Sequence, residues 1–514
     1  MKASNKVILN TGILYGRMLL TVGISLFATR LVLNALGSTD FGIFNLIAGI
    51  IVMLSFLNAA MATSTQRYLS YYQGKKDFVM QQKVFTNSLL LHVVIGTVIV
   101  LSLEIAGVYL FDGFLNIAND RVDAAQTVYH FMSVTVFFTI ISVPFTGSLI
   151  AHENMFWVAL VNIVEALLRL LIAFLLYKLS GDKLVIYGIL TASLSVVSLL
   201  MYAIYCFKSY KDCTLEGLFK INTRLIKELS SFAGWNLFGA VCSLGRTQGL
   251  AIILNLFLGT VVNAAYGIAS QVSSQLNFFS ATLLRTINPQ IMKSEGAGDR
   301  DRMLRLSMIA SKYGFILLAL IGIPCIFEMN NILVFWLKDP PKQSSTFCQL
   351  ILLGTLFNQL TVGLQSAIQA RGNIKLYQVL VGTLLILNLP IAYYLLYLGK
   401  PAFWVLASYC SMEAIACICR LLFANKLLGL KLMTYIKHVI YPQLLPSLIS
   451  CIICLGSLWL LKFDFRFIVT GILSAIGFIL SLILFGFDKS EVAIFNKLFD
   501  KVRSLTSFTT SRSV

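Results

Sequence analysis

Apolar residues in this sequence are grouped into blocks of about 20 or more rather than alternating with polar ones. About 20 consecutive apolar residues form a helix long enough to cross the ~30 Å hydrocarbon layer of a bilayer. Charged residues make up only 12% of the chain, roughly half the fraction found in soluble globular proteins. The sequence therefore predicts an all-α polytopic membrane protein. The first apolar run follows MKASNKVILN and lacks a small-residue cleavage site, so we predict a spanning helix there rather than a signal peptide.

Breaks at charged, glycine and proline residues divide the chain into about fourteen spanning helices. If the N-terminus is cytoplasmic, the alternating loops place 26 lysines and arginines in cytoplasmic segments and 8 in outer loops. This asymmetry obeys the positive-inside rule and predicts that both termini are cytoplasmic. The net charge of +18 then reflects basic loops beside anionic lipid. Membrane lipid is therefore an expected partner, and nucleic acid is not.

Weak internal similarity indicates that the chain contains two copies of one repeat. Leu36-Gly37 matches Leu258-Gly259 at an offset of 222 residues, and Gly74 matches Gly296 at the same offset. The segment 151–154 parallels the segment 370–373 at an offset of 219. Because a unit of about 220 residues holds six helices, an even number, the two copies should have the same orientation, related by a pseudo-two-fold axis along the membrane normal. The predicted parts are an N-lobe (1–207, helices 1–6), a basic cytoplasmic linker (208–228), a C-lobe (229–425, helices 7–12), two C-terminal helices (426–488) and a cytoplasmic tail (489–514).

Six arginines fall within the predicted spans, where each costs about 2.5–3.5 kcal/mol at the bilayer centre. Arg17 lies eleven residues beyond Lys6, or about 16 Å along a helix, and so lies deep in the bilayer. Arg30 is either a second ligand or an interfacial anchor that snorkels toward water. Arg285 and Arg420 lie near cytoplasmic helix ends, where snorkelling is the favoured explanation, although Arg285 is also a candidate ligand. The predicted substrate-binding arginines are Arg17, Arg30, Arg169, Arg246 and Arg285.

Polar residues recur every three or four positions along two helices of the second repeat. Gln271 and Gln275 lie on one helix, and Asn358, Thr361, Gln365 and Gln369 lie on another. Such stripes either form hydrogen bonds between helices or line a hydrated cavity. We include Gln271, Gln275, Asn358 and Gln365 in the predicted substrate site.

Carboxylates are scarcer in the spans than arginines. Glu104, Glu165 and Glu413 are the predicted ion-coupling residues, and Glu165 precedes Arg169 by four residues, the favourable spacing for an intrahelical ion pair. A central cavity with more arginines than acids should attract an anion, and the forked donors of arginine match phosphate oxygens.

The sequence contains no motif typical of an enzyme. The motif GxxxxGK[ST] is absent, so we expect no direct use of ATP, and neither catalytic residues nor a metal site are predicted. The ten cysteines suggest no disulfide framework. His92 is an isolated intramembrane histidine, explained either by packing or by proton relay. A membrane-embedded glycosyltransferase or polymerase would need a sizeable outer loop, and the largest here, 112–126, is short. We therefore expect no enzyme, and no cofactor beyond a coupling H⁺ or Na⁺.

The arrangement of six, six and two helices, with LNALGSTDFGIF (33–44) and QARGNIKLY (369–377), resembles a known family. It is similar to the polysaccharide exporters, which include lipid-linked O-antigen flippases, of the multidrug/oligosaccharidyl-lipid/polysaccharide exporter superfamily. The resemblance covers roughly residues 1–490. It implies basic residues in the N-lobe cavity, matched by Arg17 and Arg169, with Arg246 as the C-lobe contribution.

The resemblance further implies transport of an undecaprenyl-pyrophosphate-linked oligosaccharide, an O-antigen, capsule or exopolysaccharide repeat unit, from the inner to the outer leaflet. The implied mechanism is alternating access coupled to an ion gradient, in the cytoplasmic (inner) membrane of a bacterium. The expected partners are the lipid-linked substrate and the polysaccharide polymerase and chain-length machinery, with the protein itself a monomer. The alternative function is a drug/cation–ion antiporter of the same fold, which would need acids deep in the N-lobe.

Overall fold

All secondary structure in the described part of the computed structural model is helical, and this part comprises residues 3–52, 55–115, 117–218, 220–487 and 491. The predicted tail (489–514) lies outside the described residues except for Glu491. The first repeat contains α1 (Ala3–Val52), α2 (Ser55–Gly74), α3 (Phe78–Tyr109), α4 (Val122–Ile141), α5 (Val143–Ala151), α6 (Met155–Lys178) and α7 (Lys183–Ser209). The remaining helices are α8 (Thr223–Gly296), α9 (Arg300–Leu337), α10 (Ser344–Gln359), α11 (Val362–Arg371), α12 (Lys375–Ile386), α13 (Asn388–Tyr397), α14 (Ala402–Leu428), α15 (Leu432–Tyr435), α16 (Tyr441–Leu460) and α17 (Arg466–Ser481).

The protein is a multi-pass membrane protein with the predicted fold. Among the described residues, eleven helices are long and apolar enough to span a bilayer, and the pair α10 and α11, bent by 45°, makes a twelfth. Two of these helices, α1 and α8, are each interrupted by one glycine and cover two predicted spans. With these two divisions, the described residues hold fourteen candidate spans.

The two interrupting glycines occupy corresponding positions in the repeats. Gly37 has φ 77° and ψ 170°, and Gly259 has φ 80° and ψ −175°. A residue with a side chain rarely adopts this positive φ, so the backbone requires glycine at both places. The match at offset 222 is therefore a conformational equivalence as well as a sequence similarity.

The loop after the second span of each repeat has the same hydrogen bonds at the same offset. In the first repeat, the backbone N–H of Asp77 donates to Tyr72 O and its side chain accepts from Met80 N at 3.0 Å. In the second, Asp299 N–H donates to Ser294 O and its side chain accepts from Arg302 N at 3.0 Å. These side chains cap α3 and α9.

Two glycines in these loops form a reciprocal contact. A Cβ added to Gly74 would lie 2.0 Å from the backbone oxygen of Lys293, and one added to Gly296 would lie 2.0 Å from that of Tyr71. Tyr71 and Lys293 are themselves related by the offset of 222 residues. Gly74 thus meets Lys293, and the equivalent residues of the other repeat, Gly296 and Tyr71, meet in the same way. Such a reciprocal contact is typical of a two-fold interface, so the two repeats touch across their pseudo-symmetry axis at these loops.

The chain forms two compact units. These units do not coincide with the two sequence repeats, because each unit is made of several separate segments. The first unit contains 1–243, 285–303 and 367–382, and the second contains 244–284, 304–366 and 383–514. The reciprocal glycine contact lies within the first unit. Lys293 Nζ also donates to Glu153 there, and Arg67 Nη2 donates to Ala370 O at 3.0 Å. The ends of the repeats that carry the predicted cytoplasmic loops are thus held together in one unit.

A charge cluster fixes the opposite, predicted outer ends of the first repeat. Arg121 donates from Nε to Asp40 at 2.9 Å and from Nη1 to Asp182 at 2.6 Å. The hydrogen bond from Arg121 lowers the pKa of the Asp182 carboxyl below its ordinary value. Asp182 also caps α7 through the N–H groups of Leu184 and Val185.

Candidate functional site

Arg17 and Arg30 lie on different faces of α1. At about 100° per residue, Arg17 is about 20° from Ala28, whereas Arg30 is about 140° away from Arg17. Ala28 and Val32 are buried, and Val32 packs against α6. Arg17 therefore shares the packed face of α1, while the exposed Arg30 points away from it.

Arg17 lies near a second arginine and a tyrosine. The charges of Arg17 and Arg285 act on each other and on the Tyr202 hydroxyl of α7. Arg285 has many protein atoms around it, and its side chain is solvent-accessible. Arg17 is half-buried, and its Nε has no hydrogen-bond partner among the described residues. The structure thus brings Arg17 and Arg285 together in one polar cluster with Tyr202.

Neither of these arginines has a carboxylate partner within the part of the chain that the structure describes. The nearby Glu165 acts on Tyr202 but is engaged by Arg169, whose Nη2 lies 2.7 Å from the carboxylate. The predicted intrahelical pair is therefore present. After Glu165 and Arg169 cancel, the cluster keeps the two positive charges of Arg17 and Arg285.

Arg246 lies in the second unit in a different setting. It is 5% exposed, and its Nη2 donates to Glu413 Oε1 at 2.6 Å. Asn358 donates to the other oxygen of Glu413 at 3.1 Å, and the guanidinium lies 4.3 Å from the ring centre of Tyr409. The C-lobe arginine is thus neutralised by an acid, unlike the open cation that the sequence suggested. Its role in binding substrate remains a prediction, as does ion coupling by Glu413.

Glu413→Gln is expected to destabilise the protein strongly, because it leaves the Arg246 charge buried without a counter-ion. Breaking a buried ion pair in this way costs about 3–5 kcal/mol. Glu165→Gln is the matched control, since its partner Arg169 is 58% exposed and such pairs contribute less than about 1 kcal/mol. Thermal unfolding of both purified variants measures the difference. Equal melting temperatures for the two would contradict a structural role for the buried pair.

The polar stripes divide between the two interpretations left open by the sequence. Thr361 is buried beside Arg420 Nη1 at 3.4 Å, and Gln369 donates to Asn236 at 3.3 Å. These members form hydrogen bonds between helices. Gln271 and Gln275 are exposed, and Gln365 is half-buried, so these three are available to line a cavity.

Glu104 and His92, two further residues singled out in the sequence, each have a polar neighbour in the structure. Glu104 accepts hydrogen bonds from Ser133 Oγ and lies 2.6 Å from His130 Nδ1. His92 lines a cavity of about 170 Å³; its Nδ1 lies 2.6 Å from Ser88 O, and its buried Nε2 has no partner among the described residues. Packing and proton relay therefore both remain open for His92.

Arg420 corrects one prediction. It was expected to snorkel, but it is only 3% exposed, because α14 presents it to the protein interior rather than to the interface. Sequence reasoning also missed Tyr202 and Tyr409. Both follow the arginine-bearing helices in the chain by more than 100 residues, so no local spacing connects them to Arg17 or Arg246.

The cations are not repeated although the scaffold is. At an offset of 222 residues, Arg17 corresponds to Gly239, and Arg285 corresponds to Thr63. Gly239 lies against the side chain of Gln378, whose amide donates to Asn236 at 3.1 Å. A neutral amide cluster thus occupies the place in the second repeat that Arg17 occupies in the first.

The sequence profile of the polysaccharide biosynthesis protein family matches residues 7–294, more than half of the chain. The chain belongs to this family. The match covers the first repeat from residue 7 onward and includes Arg17 and Arg285, so the cationic cluster lies within the family region. A comparison with curated protein sequences gives no significant match.

Solved transporter structures share the fold of this family member. A MATE crystal structure in complex with MaD3S is 15% identical, with a TM-score of 0.72, and the match covers 84% of this chain and 97% of the other. An outward-facing multidrug resistance MATE family transporter of the MOP superfamily is 14% identical (TM-score 0.71; 84% and 96% covered). A MOP superfamily transporter from Pyrococcus furiosus, described as having reversed binding-pocket polarity that suggests a different function, is 16% identical (TM-score 0.70; 83% and 96% covered).

Proposed function

We propose that the protein is a flippase, not an enzyme, that moves a polyprenyl-pyrophosphate-linked oligosaccharide from the inner to the outer leaflet of a bacterial cytoplasmic membrane by alternating access. Membership of the polysaccharide biosynthesis family and the fold of known transporters support this proposal. The glycan would be a repeat unit of O-antigen, capsule or exopolysaccharide. Its polymerase and chain-length machinery would be the proteins that act next.

The observation that carries the proposal is the pair of unneutralised arginines, Arg17 and Arg285, beside Tyr202. A pyrophosphate that links a lipid to a sugar has one negative charge on each phosphate, so two arginines match its charge. Guanidinium groups form bidentate hydrogen bonds with phosphate oxygens. The chemistry of the cluster therefore suits a pyrophosphate better than an organic cation.

The two carboxylates that pair with arginines could couple transport to an ion gradient. Glu165 is bound to Arg169 and Glu413 to Arg246. Protonation of either carboxylate would release its arginine, so uptake of H⁺ would change the positive charge available to the substrate. Coupling to Na⁺ would need the same carboxylates as ligands.

A drug/cation antiporter is the alternative, favoured by the similarity to multidrug transporters. Such a function needs a free carboxylate to meet the cation. In the first repeat, Glu165 is occupied by Arg169, and Glu104 by His130 and Ser133. The charge balance therefore favours the flippase.

Purified protein in proteoliposomes tests the two functions directly. A short-chain polyprenyl-pyrophosphate oligosaccharide with a fluorescent sugar is placed in both leaflets, and membrane-impermeant dithionite measures the fraction that exchanges. We expect exchange with protein and none in protein-free vesicles, with competition by unlabelled substrate. Transport of a cationic dye without exchange of the lipid-linked sugar would overturn the flippase proposal in favour of the antiporter.

A further inference from the structure

A basic pocket that the proposed transport does not use lies where the predicted cytoplasmic ends of α2, α8 and α12 meet in the first unit. It has a volume of about 490 Å³. Its lining includes Arg224 and Lys227 from the first turns of α8, and Lys375 at the start of α12. Glu228 also lines the pocket and pairs with Arg224 at 3.2 Å, so these side chains leave a net charge of two positive units.

Aromatic side chains form the inner wall of this pocket. Lys375 Nζ lies 5.3 Å from the ring centre of Trp235, while Tyr68 and Phe232 close the pocket toward the protein. Cations beside a tryptophan are typical of the lipid headgroup level of a membrane protein. The first N–H groups of α12 have no intrahelical acceptors, and they add partial positive charge at the same edge.

A buried arginine behind this wall is an independent sign of an anion site. Arg67 is 6% exposed, and its guanidinium lies 4.4 Å from the ring centre of Tyr68 and 5.2 Å from that of Phe232. Nη2 donates to Ala370 O, and the buried Nε has no hydrogen-bond partner in the described residues. No carboxylate in that part of the chain pairs with it. Gly372, which also lines the pocket, lies against this guanidinium.

We propose that this pocket, formed by Arg224, Lys227, Trp235 and Lys375 in front of the buried Arg67, binds a phosphate-bearing ligand at the cytoplasmic surface of the membrane. Cations beside a tryptophan are typical of headgroup level, so the phosphate would come from an anionic phospholipid or from free phosphate or pyrophosphate in the cytoplasm. The pocket takes residues from both repeats. An occupied pocket therefore stabilises the arrangement in which these ends meet, because a ligand shifts an equilibrium toward the state that it binds.

Lipid binding to delipidated full-length protein in detergent tests the site without any transport measurement. Brominated phosphatidylglycerol quenches Trp235, measured in a protein whose other four tryptophans are replaced by phenylalanine. The triple variant Arg224→Gln/Lys227→Gln/Lys375→Gln should bind about a hundredfold more weakly, since each cation near an anionic surface contributes about fivefold. The matched control is Lys211→Gln/Lys220→Gln/Lys426→Gln, which removes three exposed charges outside the pocket and should bind as the parent does.

Further measurements identify the source of the phosphate. Brominated phosphatidylcholine should quench weakly, and equal quenching by both lipids would overturn the phosphate site in favour of an apolar lipid contact. Displacement by millimolar pyrophosphate supports a site for free phosphate, and resistance to it supports a lipid headgroup. Equal loss in the triple variant and its control would overturn the proposal. Because no substrate is transported, failure here leaves the flippase proposal untouched, and the converse also holds.

Discussion

Export of the surface glycan is expected to fall at least about tenfold with either Arg17→Ala or Arg285→Ala, and to be abolished in the double variant. Each arginine would supply charge-assisted hydrogen bonds to the pyrophosphate, and such bonds contribute about 1.5–3 kcal/mol each. Neither arginine has a carboxylate partner among the described residues, so its removal exposes no unpaired acid. The measurement is surface glycan in a strain that depends on this protein, at equal protein levels in the membrane.

Arg30→Ala is the comparison for this prediction, because it removes the same side chain from the other face of α1. It should cause a smaller loss than Arg17→Ala. Arg17→Lys should restore part of the export, since the charge remains but the forked donor is lost. Wild-type export in the double variant would remove the basis for the pyrophosphate site.

Gly296→Ala and Gly74→Ala are expected to prevent the two repeats from meeting at their predicted cytoplasmic ends. The new Cβ would lie 2.0 Å from the Tyr71 or Lys293 backbone oxygen, and backbone cannot rotate away as a side chain can. Overpacking of this kind costs about 1–3 kcal/mol, enough to lower the population of the state in which these ends meet by about fivefold or more. Export by the proposed alternating access would need that state and should fall in parallel.

Ser294, which is 2% exposed, reports on this contact when replaced by cysteine in a cysteine-free protein. Gly296→Ala should raise its labelling by an impermeant maleimide added from the cytoplasmic side. Gly267→Ala is the matched control, because it lies in the same helix and its Cβ would meet nothing within 4 Å. Labelling that stays unchanged in Gly296→Ala would show that the repeats do not rely on this contact.

The fold could be predicted from the sequence because each level of the pattern is local. The length of an apolar run predicts a spanning helix. The sequence match between Gly37 and Gly259 could be read as a structural equivalence because glycine permits a positive φ. The bend between α10 and α11 was not predicted, since its cause is tertiary. Gln359 at the break bonds to Asn277 at 2.6 Å, and Ser311 accepts from Gly363 N at 3.0 Å.

The site was harder to predict, because a buried arginine in sequence looks the same whether or not an acid meets it. Glu165 and Arg169 share one helix, so their pairing followed from spacing. Arg246 and Glu413 are 167 residues apart, and nothing local shows that α8 and α14 place them together. The convergence of Arg17 and Arg285 is likewise a property of packing, so the charge that remains unpaired appears only in three dimensions.

Arg17 of the first repeat and Arg285 of the second correspond to the uncharged Gly239 and Thr63, so the proposed binding site is not symmetric. A scaffold with equal halves would accept a headgroup equally well in two orientations related by its axis. With the cations on one side of the axis only, the proposed lipid-linked ligand would have a single favourable pose, in which its anionic junction lies between Arg17 of the first repeat and Arg285 of the second. The lipid chain and the sugars of such a ligand would then leave that junction on defined sides, so that duplication of the fold and asymmetry of the charge together would specify the route of each end.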